Sequence, residues 1–229
     1  MNTILISPTP DINESRNFYQ KLGFTTIGDP TLNLFSDGKV VIEVNTDRFI
    51  RAGIKLYQES WEKEVKLLQS LTTVILSDGG YLLSDVNGTW IYLINGHSPI
   101  QEIDPTITPS ILGKFAGLSL ESIAFEQSIK IWESLNFKIG QGSKESGWIT
   151  LENRDKMSIS IMNPMSCPHL FFNPSLTYFN GGNNLENIAK IRKQGISITE
   201  EITIFNKEGI VDNVIVRDPG GYGFFVFND

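Results

Sequence analysis

With two histidines and one cysteine, this sequence has few imidazole or thiol groups, and the side chains that could do chemistry are scattered. Glu43 stands in KVVIEVNT (39–46), where alternation puts Val40, Ile42 and Val44 on one strand face and Val41, Glu43 and Asn45 on the other. A carboxylate on the inner face of an apolar cup can serve as an acid or base of raised pKa, or as an acceptor that orients a ligand. On an outer rim the same carboxylate would pair with Arg48 or Arg51. Cys167-Pro168-His169 holds the one cysteine and one of the two histidines. Nucleophilic catalysis would need thiolate and imidazole face to face with a third group orienting them, which this spacing does not secure. A small buried residue beside a turn is the simpler reading. His97 and His169 both lie in irregular stretches and read as loop-packing residues. Trp90 and Tyr92 alternate along one strand, as do Phe225 and Phe227, so each pair shares a face. Such pairs either pack a core or wall an apolar pocket, with the Tyr92 hydroxyl as a polar handle. Gly181-Gly182 lacks the lysine and spacing of a phosphate loop and reads as a turn before a helix cap.

Composition narrows the classes. With 229 residues, 40% hydrophobic and 20% charged, the chain is an ordinary globular sequence with room for two small domains. A net charge of −7 argues against a nucleic-acid or anionic-membrane partner, which would need a basic surface. One cysteine makes no intramolecular disulfide, so nothing ties the fold to an oxidising compartment. No basic flank with an apolar core opens the chain and no apolar run is long enough to span a bilayer. A cytoplasmic protein, monomer or homodimer, is expected.

The elements that must position these residues recur. Asp11–Phe24 (DINESRNFYQKLGF) reads as a capped amphipathic helix, with Asp11 at the cap, Glu14 completing a capping box and Gly23 as the stop. Ile12, Ser15, Phe18, Tyr19 and Leu22 form its inward stripe. The stretch returns 113 residues later, SIKIWESLNF (128–137) answering SRNFYQKLGF (15–24). Around each helix runs a strand, then three more strands, and the plan occurs four times. Its helices are expected at 11–22, 60–71, 122–135 and 184–194, the last with Asn183 and Glu186 as a capping box. The offset between halves grows to 133 at the closing strands, so insertions fall in loops while elements persist. Residues 96–113, with three prolines and no periodicity, read as a connection. The expected domains are 1–97 and 112–229, joined by an exposed linker at 98–111.

Four strand–helix–three-strand units, with SxxFYxxLGF in the first, Asp218-Pro219-Gly220-Gly221 before the last strand and Asp85-Val86-Asn87-Gly88 as its degenerate counterpart, resemble the vicinal oxygen chelate superfamily. This group contains glyoxalases, bleomycin-resistance proteins and extradiol dioxygenases. The resemblance implies an α+β fold of tandem βαβββ units, two glyoxalase-like domains each wrapped around a cup. It says little about reaction, since one fold hosts lyases, oxygenases and plain binders.

Enzymes of that superfamily hold a divalent metal in the cup through His, Gln or Glu on the first strand of each unit and Glu on the last. Carried over, these positions are Ile4 and Gly53, with Glu43 and Tyr92, in the first half. In the second they are Gly117 and Leu176, with Ser160 and Phe225. Glu43 alone is a carboxylate, so no metal and no cofactor are expected. The resulting expectation is a metal-independent binder of a small, partly apolar molecule, of the bleomycin-resistance kind. Its site is expected in the first cup, with Glu43, Trp90 and Tyr92 as ligand-binding residues. The alternative is a metal-independent isomerase or lyase with Glu43 as general base. The second cup, with Ser160, Leu176 and Phe225, is expected to be structural.

Overall fold

The computed structural model describes residues 2–229. Among them, strands and helices follow in four copies of one unit. The first holds β1 (Thr3–Pro8), α1 (Ile12–Lys21), β2 (Thr25–Ile27), β3 (Leu34–Ser36) and β4 (Val41–Asn45). The second holds β5 (Gly53–Gln58), α2 (Glu62–Leu68), β6 (Val74–Ser77), β7 (Gly80–Ser84) and β8 (Trp90–Asn95). The third holds β9 (Lys114–Glu121), α3 (Phe125–Ser134), β10 (Lys138–Ser143), β11 (Trp148–Glu152) and β12 (Ser158–Met162). The fourth holds β13 (Ser175–Phe179), α4 (Asn184–Lys193), β14 (Ile198–Ile202), β15 (Asn213–Arg217) and β16 (Gly223–Phe227).

Two units make one sheet. The order is β2-β3-β4-β1-β5-β8-β7-β6 in the first half and β10-β11-β12-β9-β13-β16-β15-β14 in the second. In each sheet the first strands of the two units meet antiparallel at the centre, and each pairs in parallel with the last strand of its own unit. This is the α+β architecture of tandem βαβββ units. No helix among the described residues is long and apolar enough to cross a membrane.

Alternation sets the two faces of each sheet. In β12, Ile159 and Ile161 are fully buried on the helix side, while Ser158, Ser160 and Met162 look into the cup. The helix-side residues of both halves join one apolar cluster, from Leu5, Tyr19 and Ile42 to Trp132, Ile159 and Phe224. Each such Leu or Ile contributes about 1.5–3 kcal/mol by leaving water. Within this layer the Tyr19 ring stacks on Phe35 of its own sheet and lies 6.2 Å from Phe224 of the other.

Buried polar contacts fix the halves to each other. Asp218, in the turn before β16, accepts from the hydroxyls of Ser7 and Tyr19, the latter at 2.9 Å. Asp85, its counterpart in the first half, accepts from Ser128 of α3 at 3.3 Å, with the Trp132 indole beside it. Ser128 and Trp132 answer Ser15 and Tyr19 in the repeat, so the contact is duplicated with the halves exchanged. Gly220 lies so close to the Pro8 carbonyl that a Cβ would collide with it. Asp37 completes the seam, accepting from the Tyr178 hydroxyl at 3.0 Å.

Local chemistry explains where element ends differ from the expected ones. Asp11 caps α1, accepting from the N–H groups of Asn13 and Glu14. The reciprocal bond comes from Thr9, whose hydroxyl accepts from Asp11 N at 3.2 Å. Pro30–Leu32 is a 3-10 turn capped by Asp29, so β3 starts only at Leu34. The end of α2 tightens at Ser70 and Leu71, whose N–H groups reach back three residues, which shortens the expected 60–71 helix. Before α3 the Ser122 hydroxyl accepts from Ala124 N, forming a turn in place of a first helical turn. The Asn183–Glu186 capping box is not formed: the Asn183 amide donates to Asn180 and Gly181 carbonyls instead.

The connection between the sheets is partly sunk into the protein. Ser98, Ile100, Ser110 and Leu112 are buried, and the exposed residues fall between them.

Candidate functional site

The first cup presents Ile4 on β1, Val41 and Glu43 on β4, Lys55 and Tyr57 on β5, and Trp90 and Tyr92 on β8. One half of it is covered by the connection: Ile100 packs against Ile4, Leu34, Val41 and Tyr57, with Ile103 alongside. At its centre the Lys55 ammonium lies 2.5 Å from Glu43 Oε2, with side-chain exposures of 16% and 12%. Asn45 Nδ2 donates to the other carboxylate oxygen at 2.8 Å. Glu43 is therefore paired, but with Lys55 and not with Arg48 or Arg51. Burial first, and the Glu43 charge second, push the Tyr57 phenol up. Burial also raises the Tyr92 phenol, whose oxygen accepts from Arg51 N at 3.0 Å. Trp90 and Tyr92 are half-buried on the same face. The structure thus brings Glu43, Trp90 and Tyr92 to one cup, together with a lysine that sequence reasoning passed over. Its signal was present: Lys55 alternates with Gly53 and Tyr57 on a strand antiparallel to β1.

The second cup is covered over one half, where Cys167, Phe171 and Phe172 pack on Ile202, Ile215 and Phe225, and open over the other. A cavity of about 780 Å³ lies on the inner face of the second sheet. Its two sides differ in chemistry. From β9, β11, β12 and β13 come the hydroxyls of Ser119, Thr150, Ser158, Ser160 and Thr177. Ser119 and Thr177 hydrogen-bond to each other at 2.8 Å across the central pair of strands. From β13, β16 and the stretch 163–174 come Phe179, Phe225, Phe227 and Phe171, with Trp148 across from β11. Phe171 and Phe225 meet edge to face at 5.4 Å, as do Phe225 and Phe227 at 5.6 Å. Glu152 and Lys156, the charged residues on the lining, are bonded to one another at 2.9 Å on the outer rim.

Ser160 and Phe225 lie in this cup as expected, but Leu176 does not. It is fully buried on the helix side, and its neighbour Thr177 faces the cavity. A slip of one residue along a strand reverses the face. The hydroxyl set was legible as the alternation Ser158-Ile159-Ser160-Ile161. Its convergence with Ser119, Thr150 and Thr177 depends on strand pairing across three other elements.

Cys167 and His169 sit at the edge of the second cup, and the contact between them is made. Sγ lies 3.2 Å from the imidazole nitrogens, and the ring packs edge-on against Phe225 at 5.2 Å. Burial pushes the thiol up to about 11, and the carboxylates of Glu121 and Glu200 act in the same direction. A thiol so placed stays protonated at neutral pH and is a poor nucleophile. His97 is exposed in the connection. The N–H groups of Asn180 and Gly181 donate to the carboxylate of Asp229, so the glycine turn already holds an anion from its own chain.

The residues present do not fit a divalent metal. Among those described, no three His, Cys, Asp or Glu side chains lie together as a ligand set. At Gly53 a Cβ would run into the Trp90 carbonyl, and at Gly117 into that of Ser158, so neither position has room for a ligating side chain. Glu43 already has a cation, the Lys55 ammonium.

No protein-family model and no curated protein matches the sequence. Solved structures do match the fold. One is a variant of homoprotocatechuate 2,3-dioxygenase from B. fuscum in complex with HPCA. It has a TM-score of 0.59 and 12% identity, over 100% of this chain and 70% of that one. Another is the Mn(II)-bound glyoxalase from Novosphingobium aromaticivorans, with a TM-score of 0.56 and 14% identity over 99% and 81%. A third is a xylose isomerase-like TIM barrel/4-hydroxyphenylpyruvate dioxygenase fusion protein. It has a TM-score of 0.53 and 11% identity, over 98% of this chain but 48% of that one, so this chain spans about half its length.

Proposed function

The chain has the fold of the vicinal oxygen chelate superfamily, and on that premise we propose that it is a metal-independent binding protein for a small, partly apolar molecule held in the second cup. The observation that carries this is the open cavity of about 780 Å³ with an aromatic wall facing a row of hydroxyls. Ligand sites are usually concave, mostly apolar and furnished with a few placed polar groups, and cavities of some hundreds of Å³ suit drug-sized molecules. Such a site resembles what a bleomycin-resistance type of binder needs more than what a metal-dependent lyase or oxygenase needs. The donor set supports independence from metal, since Ser160 and Phe225 take two of the expected ligand positions and Gly117 a third.

The competing location is the first cup, with Glu43, Trp90 and Tyr92. There the polar centre is satisfied internally by Lys55 and Asn45, and Ile100 covers one half. The same pairing weakens the reading of Glu43 as a general base: both carboxylate oxygens are engaged, and a base must have one free to take a proton.

The test begins with a thermal-shift screen of metabolites, run with and without chelator, since a ligand that binds the folded state raises the melting temperature. Hits are then titrated against wild type, Phe225→Ala and Trp90→Ala, following tryptophan fluorescence through Trp148. Binding that survives chelation and weakens about tenfold or more in Phe225→Ala alone is the expected outcome. Loss in Trp90→Ala alone would move the site to the first cup, and loss on chelation would end the metal-independent reading.

A further inference from the structure

Resting on that placement of the ligand, we infer that the second cup selects an uncharged ring compound carrying hydroxyl or carbonyl groups along one edge. Charge is the first criterion. The lining offers Glu152 and Lys156, and these neutralise each other on the rim with side-chain exposures of 44% and 80%. The other polar side chains of the lining are the hydroxyls, the Gln141 amide and the protonated Cys167 thiol, none of which has a formal charge to set against that of a ligand. A charged group brought into this space would lose hydration without a counter-charge, a loss too large for neutral hydrogen bonds to offset.

Shape and polarity supply the rest. Phe227 and Phe179 present ring faces and edges from adjacent strands, backed by the buried Phe225, with Trp148 opposite. Flat apolar surface is best met by a ring, through offset or edge-to-face packing. Against the other side lie Ser119 and Thr177, which are buried and bonded to each other, with Thr150, Ser158 and Ser160 in the same row. Each hydroxyl both donates and accepts, so the row can serve a phenol or a ketone, and it can do so by rotating O–H bonds alone. Leaving Ser119 and Thr177 without such a partner costs little, because they pair with each other in the empty cup. The ligand's polar edge therefore adds selectivity while the wall supplies most of the attraction.

Four probes of one shape separate the criteria: naphthalene, 2,7-dihydroxynaphthalene, 2-naphthoate and 2-naphthylmethylamine. The hydroxyls of the second are too far apart to chelate, so a stray metal cannot account for its binding. Affinities are measured by calorimetry on the full chain, with Ser160→Phe as a variant that fills the cup and with Ser119→Ala/Thr177→Val as one that strips the central hydroxyls. The expected order is dihydroxynaphthalene first, naphthalene next, and the two ions weaker than dihydroxynaphthalene by about tenfold or more. Stripping the hydroxyls should erase the advantage of dihydroxynaphthalene over naphthalene and leave naphthalene binding unchanged, which also shows that the variant is folded. An ion that binds best, and is lost in Ser160→Phe, would overturn the ligand class while leaving the second cup as the site. Binding of dihydroxynaphthalene that Ser160→Phe does not reduce, or no binding by any probe, would overturn both.

Discussion

A carboxylate at 12% side-chain exposure with an ammonium 2.5 Å away suffers most when the ammonium alone is removed, because the remaining charge keeps its desolvation and loses its partner. Lys55→Met should therefore destabilise the protein by about 3 kcal/mol, near the low end for breaking a buried pair. The double change Glu43→Leu/Lys55→Met should recover much of that, since two apolar groups need no counter-charge. Denaturant midpoints of the two variants decide it, and equal losses in both would mean that the pair contributes little. If ligand binding in the second cup persists through both variants, the pair is a structural fixture of the first cup. The Cys167–His169 contact is a similar case of proximity without reactivity. Its distance suits a nucleophilic pair, but burial holds the thiol in its protonated form.

At the level of elements, α1 shows which half of a capping signal is used. Asp11 supplies the cap to Asn13 and Glu14, whereas Thr9 bonds the Asp11 N–H that a capping-box glutamate would take. Asp11→Ala should cost about 1 kcal/mol, and Glu14→Ala only a few tenths, the small effect of an acidic residue near a helix N-terminus. Thermal or urea unfolding of the two variants measures this directly. A Glu14→Ala loss as large as that of Asp11→Ala would show that the box closes in solution. The strands matter more for function. The second cup is polar on one side and aromatic on the other because one sheet sets the Ser and Thr positions of β9, β11, β12 and the middle of β13 beside the Phe positions of β16 and the end of β13.

The whole molecule is held by a shared core and by buried aspartates at the seam between sheets. Burial is the largest influence on Asp218, Asp85 and Asp37, and it raises all three from the ordinary aspartate value despite the N–H and O–H groups bonded to them. Each then binds its proton more tightly folded than unfolded. Their contribution to stability is fullest below the unfolded carboxylate value, about 4, and is lost as pH rises through the higher folded value. Wild type should accordingly gain on Asp218→Asn as pH falls from neutral towards about 5, because the asparagine does not titrate. Denaturant titrations of both proteins across that range test it. A wild-type advantage that shrinks on acidification would mean that the hydrogen bonds from the Ser7 and Tyr19 hydroxyls and the Tyr222 N–H outweigh burial.

Much of this protein is written in local sequence. Period-two alternation, helical stripes and turn residues are properties of neighbours in the chain, so they disclosed four strand–helix–three-strand units and, with the repeat at 113 residues, the fold. The scarcity of histidine and cysteine was equally plain from composition. Which cup stays open was not. Ile100 reaches Ile4, Leu34 and Val41 from within the connection, and Lys55 meets Glu43 only because β5 and β4 flank β1 in one sheet. The second cup depends on the same kind of long-range pairing: Ser119 and Thr177 are 58 residues apart, and their hydroxyls meet because β9 and β13 are antiparallel neighbours. The sequence determined what each strand shows on its inner face. Only the packing of strands distant in the chain decided which of those faces meet each other and which are left facing a space that a ligand can fill.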